Sequence, residues 1–273
     1  SLLLLSTIAA MYVAGDPSLG LVALTCLGGY LSAGGAGAVN HWFDRDIDAQ
    51  MKRTANRPIP AGRIAPAAAL AFGCTLALLS VLELSLAVNP LAAALSFAGF
   101  LGYVFVYTVW LKRRTPQNIV IGGAAGAVPP LVGWAAVTGS VSATAILLFG
   151  IVFFWTPPHF WALSLLMKDE YARVGVPMLP VARGEDETRR QILLYTILLY
   201  AVSQLPFCAG GLGTVYVVAS IALGLGFIAG AVRLYRTAGR SQTIGRKAAL
   251  QLYLYSLAYL ALLFGAMVLD KHV

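Results

Sequence analysis

Charge is what this sequence is short of. Only 11% of its 273 residues are Asp, Glu, Lys or Arg, against about 25% in ordinary soluble domains, and that deficit excludes a water-soluble globular class. Cysteine is scarce as well. Cys26, Cys74 and Cys208 sit singly inside apolar runs, without disulfide or zinc-ligand spacing, and read as small buried apolar residues. No low-complexity run and no linker long enough to divide the chain is present, so residues 1–273 read as a single domain. The chain opens at Ser1 with neither a methionine nor a basic stretch ahead of its first apolar run. That argues against a cleavable signal peptide and leads us to expect a truncated N-terminus.

What is present is apolar. Hydrophobic residues make up 59% of the chain, and the mean hydropathy is +0.79. Apolar runs occupy 2–14, 19–43, 64–88, 91–111, 119–138, 142–166, 191–209, 212–234 and 248–269. These lengths suit membrane-crossing helices rather than the shorter strands of a barrel. The expected fold is therefore all-α and polytopic, with nine transmembrane helices.

Of the 19 basic residues, 18 fall in the linkers 44–63, 112–118, 167–190 and 233–247, leaving Lys271. The turns at 15–18, 88–90, 139–141 and 209–213 hold none. Basic residues thus occupy every second loop, which by the positive-inside rule places the N-terminus and the four linkers in the cytoplasm. The net charge of +8 is then a signal of topology. Nucleic acid is excluded as a partner, because no stacking aromatics or recognition module accompany the charge.

The stretch Asn40-His41-Trp42-Phe43-Asp44-Arg45-Asp46-Ile47-Asp48 is attached directly to the second apolar run. At 100° per residue, Asn40, Asp44 and Asp48 fall within about 80° of one another on a helix, and Asp46 points elsewhere. An amide oxygen and two carboxylates on one stripe suit Mg²⁺ bridging to a phosphate-bearing ligand. A hydrated acidic helix end is the competing account. A second acidic pair, Asp169 and Glu170, follows the sixth run at the same membrane face. Two carboxylate groups from separate helices suit two metals that bridge a diphosphate and neutralise its charge as it leaves. Glu185, Asp186 and Glu187 read instead as charges at a helix N-terminus. Arg53, Arg57, Lys112 and Arg113 are the candidate diphosphate clamps, the last two lying behind Tyr103 and Tyr107. Arginine gives bidentate phosphate contacts and lysine a point charge; snorkelling to lipid phosphate is the alternative for each.

The spacing Asn40-x3-Asp44-x3-Asp48 resembles the first motif of the UbiA superfamily of intramembrane aromatic prenyltransferases. Further segments resemble its heme-farnesylating branch: Asp44-Arg-Asp-Ile-Asp48, Arg53-Thr-Ala-Asn-Arg57-Pro58, the run from Leu111 through Asn118 to Gly126, Trp155-Thr-Pro-Pro-His159-Phe-Trp161, and Gly175-Val-Pro-Met-Leu-Pro180. The resemblance implies nine helices around a central cavity open to lipid. It implies Mg²⁺ and diphosphate on Asn40, Asp44 and Asp48, with Glu170 where the family usually has aspartate, Asp169 beside it, and Asn118 and Tyr107 near substrate. The implied reaction joins farnesyl diphosphate to heme B in a bacterial inner membrane, with a heme A synthase as candidate partner. His159, where Pro157 and Pro158 are expected to interrupt the sixth span, is a candidate iron ligand or propionate partner; a structural histidine is the equal alternative. Trp134, Trp155 and Trp161 are candidate walls for a porphyrin. The glycine-rich faces either make room for substrate or let helices approach closely. Rival readings are a quinone-precursor or chlorophyll acceptor, and a cation-coupled transporter. The transporter is disfavoured because its acids belong at the bilayer midplane between inverted repeats.

Overall fold

The computed structural model describes residues 2–239 and 241–273; Ser1, and Arg240 of the last basic linker, lie outside the described residues. Each apolar run folds as helix, since a backbone in hydrocarbon must satisfy its own N–H and C=O groups. In chain order the helices are α1 (Leu2–Ala14), α2 (Leu19–Phe43), the single turn α3 (Arg45–Asp48), α4 (Pro66–Glu83), α5 (Pro90–Leu101), α6 (Asn118–Gly126), α7 (Pro129–Thr138), α8 (Ala143–Leu166), the short α9 (Lys168–Arg173) and α10 (Leu179–Ala182), α11 (Glu185–Cys208), α12 (Thr214–Tyr235) and α13 (Gln242–His272). Among the described residues there is no strand. Eight helical segments among the described residues are long and apolar enough to cross a membrane, and α1 is a ninth, shorter apolar helix.

The short turns without basic residues are closed by side-chain caps. The Ser18 and Ser142 hydroxyls accept from Leu21 and Ala145 N–H at 3.2 Å each. Asn89 accepts from Ala92 N–H at 2.8 Å and donates to the Ala135 carbonyl at 2.8 Å, tying α5 to α7. Both carboxylate oxygens of Asp270 accept from the first N–H groups of α12, at Gly213 and Tyr216. The opposite end of the bundle carries the long linkers and most of the charge.

Packing follows the logic of a lipid solvent: large apolar side chains such as Leu86, Phe72 and Tyr30 face outward, while Thr25, Ser80, Thr108 and Ser256 are buried. Small residues set the close approaches. A Cβ on Gly35 of α2 would stand 2.7 Å from the Gly73 carbonyl oxygen of α4, so these two backbones touch. The Ser80 hydroxyl adds a bond to the Gly28 carbonyl at 2.8 Å across the same pair. Helix α1 packs on α7 and α13, and α8 packs on α11 and α13.

Three departures from the sequence expectation shape the interior. First, α5 continues to Leu111 as a π-helix over Gly102–Leu111. The Lys112 N–H there reaches the Tyr107 carbonyl at 2.8 Å, and the Thr108 hydroxyl bonds the Tyr103 carbonyl at 2.9 Å. This wider turn aligns Tyr103 with Thr108 and Tyr107 with Lys112. Second, the fifth apolar run is broken between Gly126 and Pro129, because Pro129 and Pro130 supply no N–H to continue α6. Third, Pro157 and Pro158 do not interrupt the sixth span: α8 is continuous through them. They remove two N–H donors, which frees the Phe153 and Phe154 carbonyls without ending the helix.

Candidate active site

Helix α2 ends at Phe43, yet the helical register survives the corner. Asp44 N–H bonds the Asn40 carbonyl and Asp48 N–H bonds the Asp44 carbonyl, both at 2.8 Å. Asn40, Asp44 and Asp48 therefore remain on one buried stripe, with exposures of 5%, 0% and 2%. The Asp46 side chain is 57% exposed and bonds Arg113. Its carboxyl is held below the usual range chiefly by that hydrogen bond. Asp46→Asn is expected to alter activity by no more than a few-fold and stability by at most about 1 kcal/mol, read as turnover and thermal melting of the purified variant.

Cations close over the buried stripe. Asp44 accepts from Lys112 Nζ, from Arg113 at 3.2 Å and from the Asn40 amide at 2.8 Å. Asp48 accepts from Arg57 at 2.6 Å. The loop after α3 makes that pair possible: the Thr54 hydroxyl caps the Asp48 carbonyl at 3.0 Å and the Arg57 N–H turns back onto the Thr54 carbonyl at 2.9 Å. Thr108, brought round by the π turn, accepts from the Asn40 amide at 3.2 Å. Nothing in the sequence singled out Thr108.

The second acidic pair splits, as neighbours 100° apart on a helix must. Asp169 lines a small polar pocket with Lys168, Glu185, Arg189 and Arg246. Glu170 has one oxygen, Oε2, buried with no partner among the described residues. Tyr171 beside it has its hydroxyl pKa raised by burial, with Arg53, Glu170 and Arg57 all close enough to act on it. Glu185, Asp186 and Glu187 form the first turn of α11 and pair with Lys168, Arg189 and Arg190.

Beneath the stripe lies an apolar cavity of about 740 Å³. Tyr103 and Tyr107, 5.4 Å between ring centroids, stand in its wall, and Asp44, Asp48 and Arg57 lie close enough to act on Tyr103. Gly37 of α2, Gly126 of α6 and His159 of α8 line it too. Asn118 does not: it is wholly buried, and its amide donates to the Lys112 carbonyl at 3.2 Å, bracing the turn that carries Lys112 and Arg113. Of the three candidate tryptophans only Trp155 reaches the cavity; Trp161 is packed edge-on against Tyr195.

A divalent cation fits these residues by their donor set. Two buried carboxylates share a stripe with Asn40, whose amide oxygen is left without a protein partner among the described residues, and Glu170 adds its orphaned oxygen. Among the described residues, no three His, Cys, Asp or Glu side chains already converge as a metal cluster; the acids are held by lysine and arginine instead.

The model of the UbiA prenyltransferase family matches residues 3–257. The chain belongs to that family. It is 53% identical over 273 residues to a protoheme IX farnesyltransferase of Chloroflexus aurantiacus, covering 99% of this chain and 46% of that protein. It is likewise 53% identical to one of Acidiphilium cryptum, over 94% of this chain and 82% of that protein. The chain thus spans about half the length of some curated relatives it matches, and most of others. Among solved structures, a digeranylgeranylglyceryl phosphate synthase superposes with a TM-score of 0.79 at 18% identity, covering 98% of this chain and 92% of that one. A UbiA homolog of Archaeoglobus fulgidus bound to GPP and Mg²⁺ superposes with a TM-score of 0.68 at 15% identity, covering 97% and 95%. These likenesses establish the UbiA fold.

Proposed function

We propose that this chain transfers the farnesyl group of farnesyl diphosphate to a vinyl group of heme B, giving heme O and diphosphate, at the cytoplasmic face of a bacterial cell membrane. One observation carries the reading: an apolar cavity of about 740 Å³ is walled by Gly37, Tyr103 and Tyr107, and the buried carboxylates Asp44 and Asp48 with Arg57 lie next to that wall at Tyr103. The names of the relatives, each a protoheme IX farnesyltransferase, select farnesyl and heme among the prenyl transfers that such a cavity permits.

Asn40, Asp44, Asp48 and Glu170 would hold Mg²⁺, which when bound neutralises diphosphate oxygens and improves the leaving group. Arg53, Arg57, Lys112 and Arg113 bind the remaining phosphate oxygens. Tyr103 and Tyr107 stand between the charged end and the cavity, where their ring faces favour the positive charge that develops on the farnesyl C1 as the C–O bond breaks. Diphosphate leaves with that electron pair. The vinyl π electrons form the new C–C bond, and water adds to the resulting carbocation with loss of a proton. The apolar walls keep water from capturing the farnesyl cation first.

Purified protein with Mg²⁺, farnesyl diphosphate and heme B should yield heme O, and chelation with EDTA should stop turnover until Mg²⁺ is restored. Exclusive turnover of 4-hydroxybenzoate in place of heme would overturn the heme assignment and favour a quinone-precursor acceptor.

A further inference from the structure

Ser256, in the middle of α13, fastens two side chains of the cavity wall. Its carbonyl accepts from the Trp155 indole N–H at 2.8 Å. Its hydroxyl lies 2.7 Å from His159 Nδ1 and 2.6 Å from the Tyr253 carbonyl oxygen. A carbonyl can only accept, so the single hydroxyl proton goes to Tyr253 and the oxygen accepts from an Nδ1–H. His159 is thereby set in the tautomer whose free lone pair is on Nε2. The ring is also immobilised. Trp155 stacks on it at 4.3 Å between centroids and 19° between planes, and Tyr253 at 4.9 Å and 27°. With the ring so stacked and Nδ1 occupied, the Nε2 edge is what His159 offers to the cavity it lines. No protein partner meets Nε2 among the described residues.

A neutral imidazole with one nitrogen fixed by a hydrogen bond and the other open is the arrangement of a metal ligand with its outer-shell support. We propose that Ser256 is a positioning residue that holds His159 Nε2 as axial ligand to the metal of a porphyrin bound in the cavity. This rests on the reading of heme as acceptor. It adds which atom grips the ring and what orients that atom. A serine serving only to join α8 to α13 would hold the two helices together without any dependence on the metal in the porphyrin.

The test uses the purified full chain with ferric heme B and, in parallel, metal-free protoporphyrin IX, each titrated into wild type, Ser256→Ala, Ser256→Thr and His159→Ala. Binding of farnesyl diphosphate with Mg²⁺ reports whether each variant is folded. Ser256→Ala should weaken heme binding by at least about tenfold and change the Soret and visible bands in the direction of His159→Ala. Ser256→Thr, which keeps the hydroxyl, should restore both. Metal-free porphyrin and farnesyl diphosphate should bind all four proteins nearly alike. An unchanged heme spectrum in Ser256→Ala overturns the proposal, as does equal loss of heme, metal-free porphyrin and farnesyl diphosphate. If wild type makes heme O while either result appears, only this inference fails. If wild type binds no heme and prenylates another acceptor, the heme reading fails and this inference goes with it.

Discussion

Asp44→Ala is expected to lower farnesyl transfer by more than about a hundredfold, the scale of removing one charge-stabilising group from a preorganised site. Asp44 is the hub of the charged end: it is wholly buried and gathers Lys112, Arg113 and the Asn40 amide onto its two oxygens. Without it the stripe loses its central carboxylate, and Lys112 and Arg113, the cations proposed to bind diphosphate, lose the group that aims them. Folding should survive. The Arg113 side chain is 33% exposed at the bundle end and can turn to water or lipid phosphate. Asp44→Asn separates charge from shape, since it keeps a hydrogen-bonding oxygen for Lys112 while removing the negative charge. It should be nearly as inactive as alanine. Steady-state heme O formation, with expression and melting temperature as controls, reads the outcome. A variant that keeps a tenth or more of wild-type turnover would show that diphosphate departs elsewhere.

The stripe could be read in advance because a four-residue repeat needs only an unbroken helical register, and hydrogen bonds keep that register across the corner at Asp44. The spans were legible for a similar reason: an apolar run in lipid has few alternatives to helix, and the run 19–43 became the helix Leu19–Phe43. Contacts between distant segments were not legible. Ser256 is one serine in an apolar helix, and only the packing of α13 on α8 shows that it meets His159. The π turn that aligns Tyr107 with Lys112 depends on tertiary packing that no local pattern reports. Pro157 and Pro158 misled because a proline pair normally ends a helix, whereas packing against α11 and α13 carries α8 through them. Asp169 and Glu170 are adjacent in the chain, yet helical geometry gives them different surroundings: Asp169 lines a polar pocket with Glu185 and Arg189, whereas Glu170 lies near Tyr171, as Arg53 does.

The glycines, whose role was open between spacing and room, divide into two groups that one kind of substitution should separate. At Gly133 of α7 an added Cβ would run into the Thr7 backbone carbonyl, and at Gly35 it would meet Gly73. Backbone cannot swing aside, so Gly133→Ala and Gly35→Ala should cost about 1–3 kcal/mol or more and lower the melting temperature before any catalytic effect is read. Gly37 and Gly126 are different: both line the cavity, and a Cβ at either meets nothing within 4 Å. Gly37→Leu and Gly126→Leu should fold with near-normal melting and lose turnover by roughly tenfold to a hundredfold, the effect of overfilling a space that a ligand must share. Their selectivities should also differ. Gly37 lies three residues before Asn40, close to the charged end where the reacting carbon must sit, so its leucine should slow geranyl and farnesyl diphosphate alike. Gly126 is eight residues along α6 from Asn118, about 12 Å at 1.5 Å per residue, and its leucine should penalise the longer farnesyl chain more. Competition between the two diphosphates for the same enzyme reads the ratio directly. If Gly126→Leu keeps full activity and unchanged chain preference, the prenyl tail does not occupy that part of the cavity.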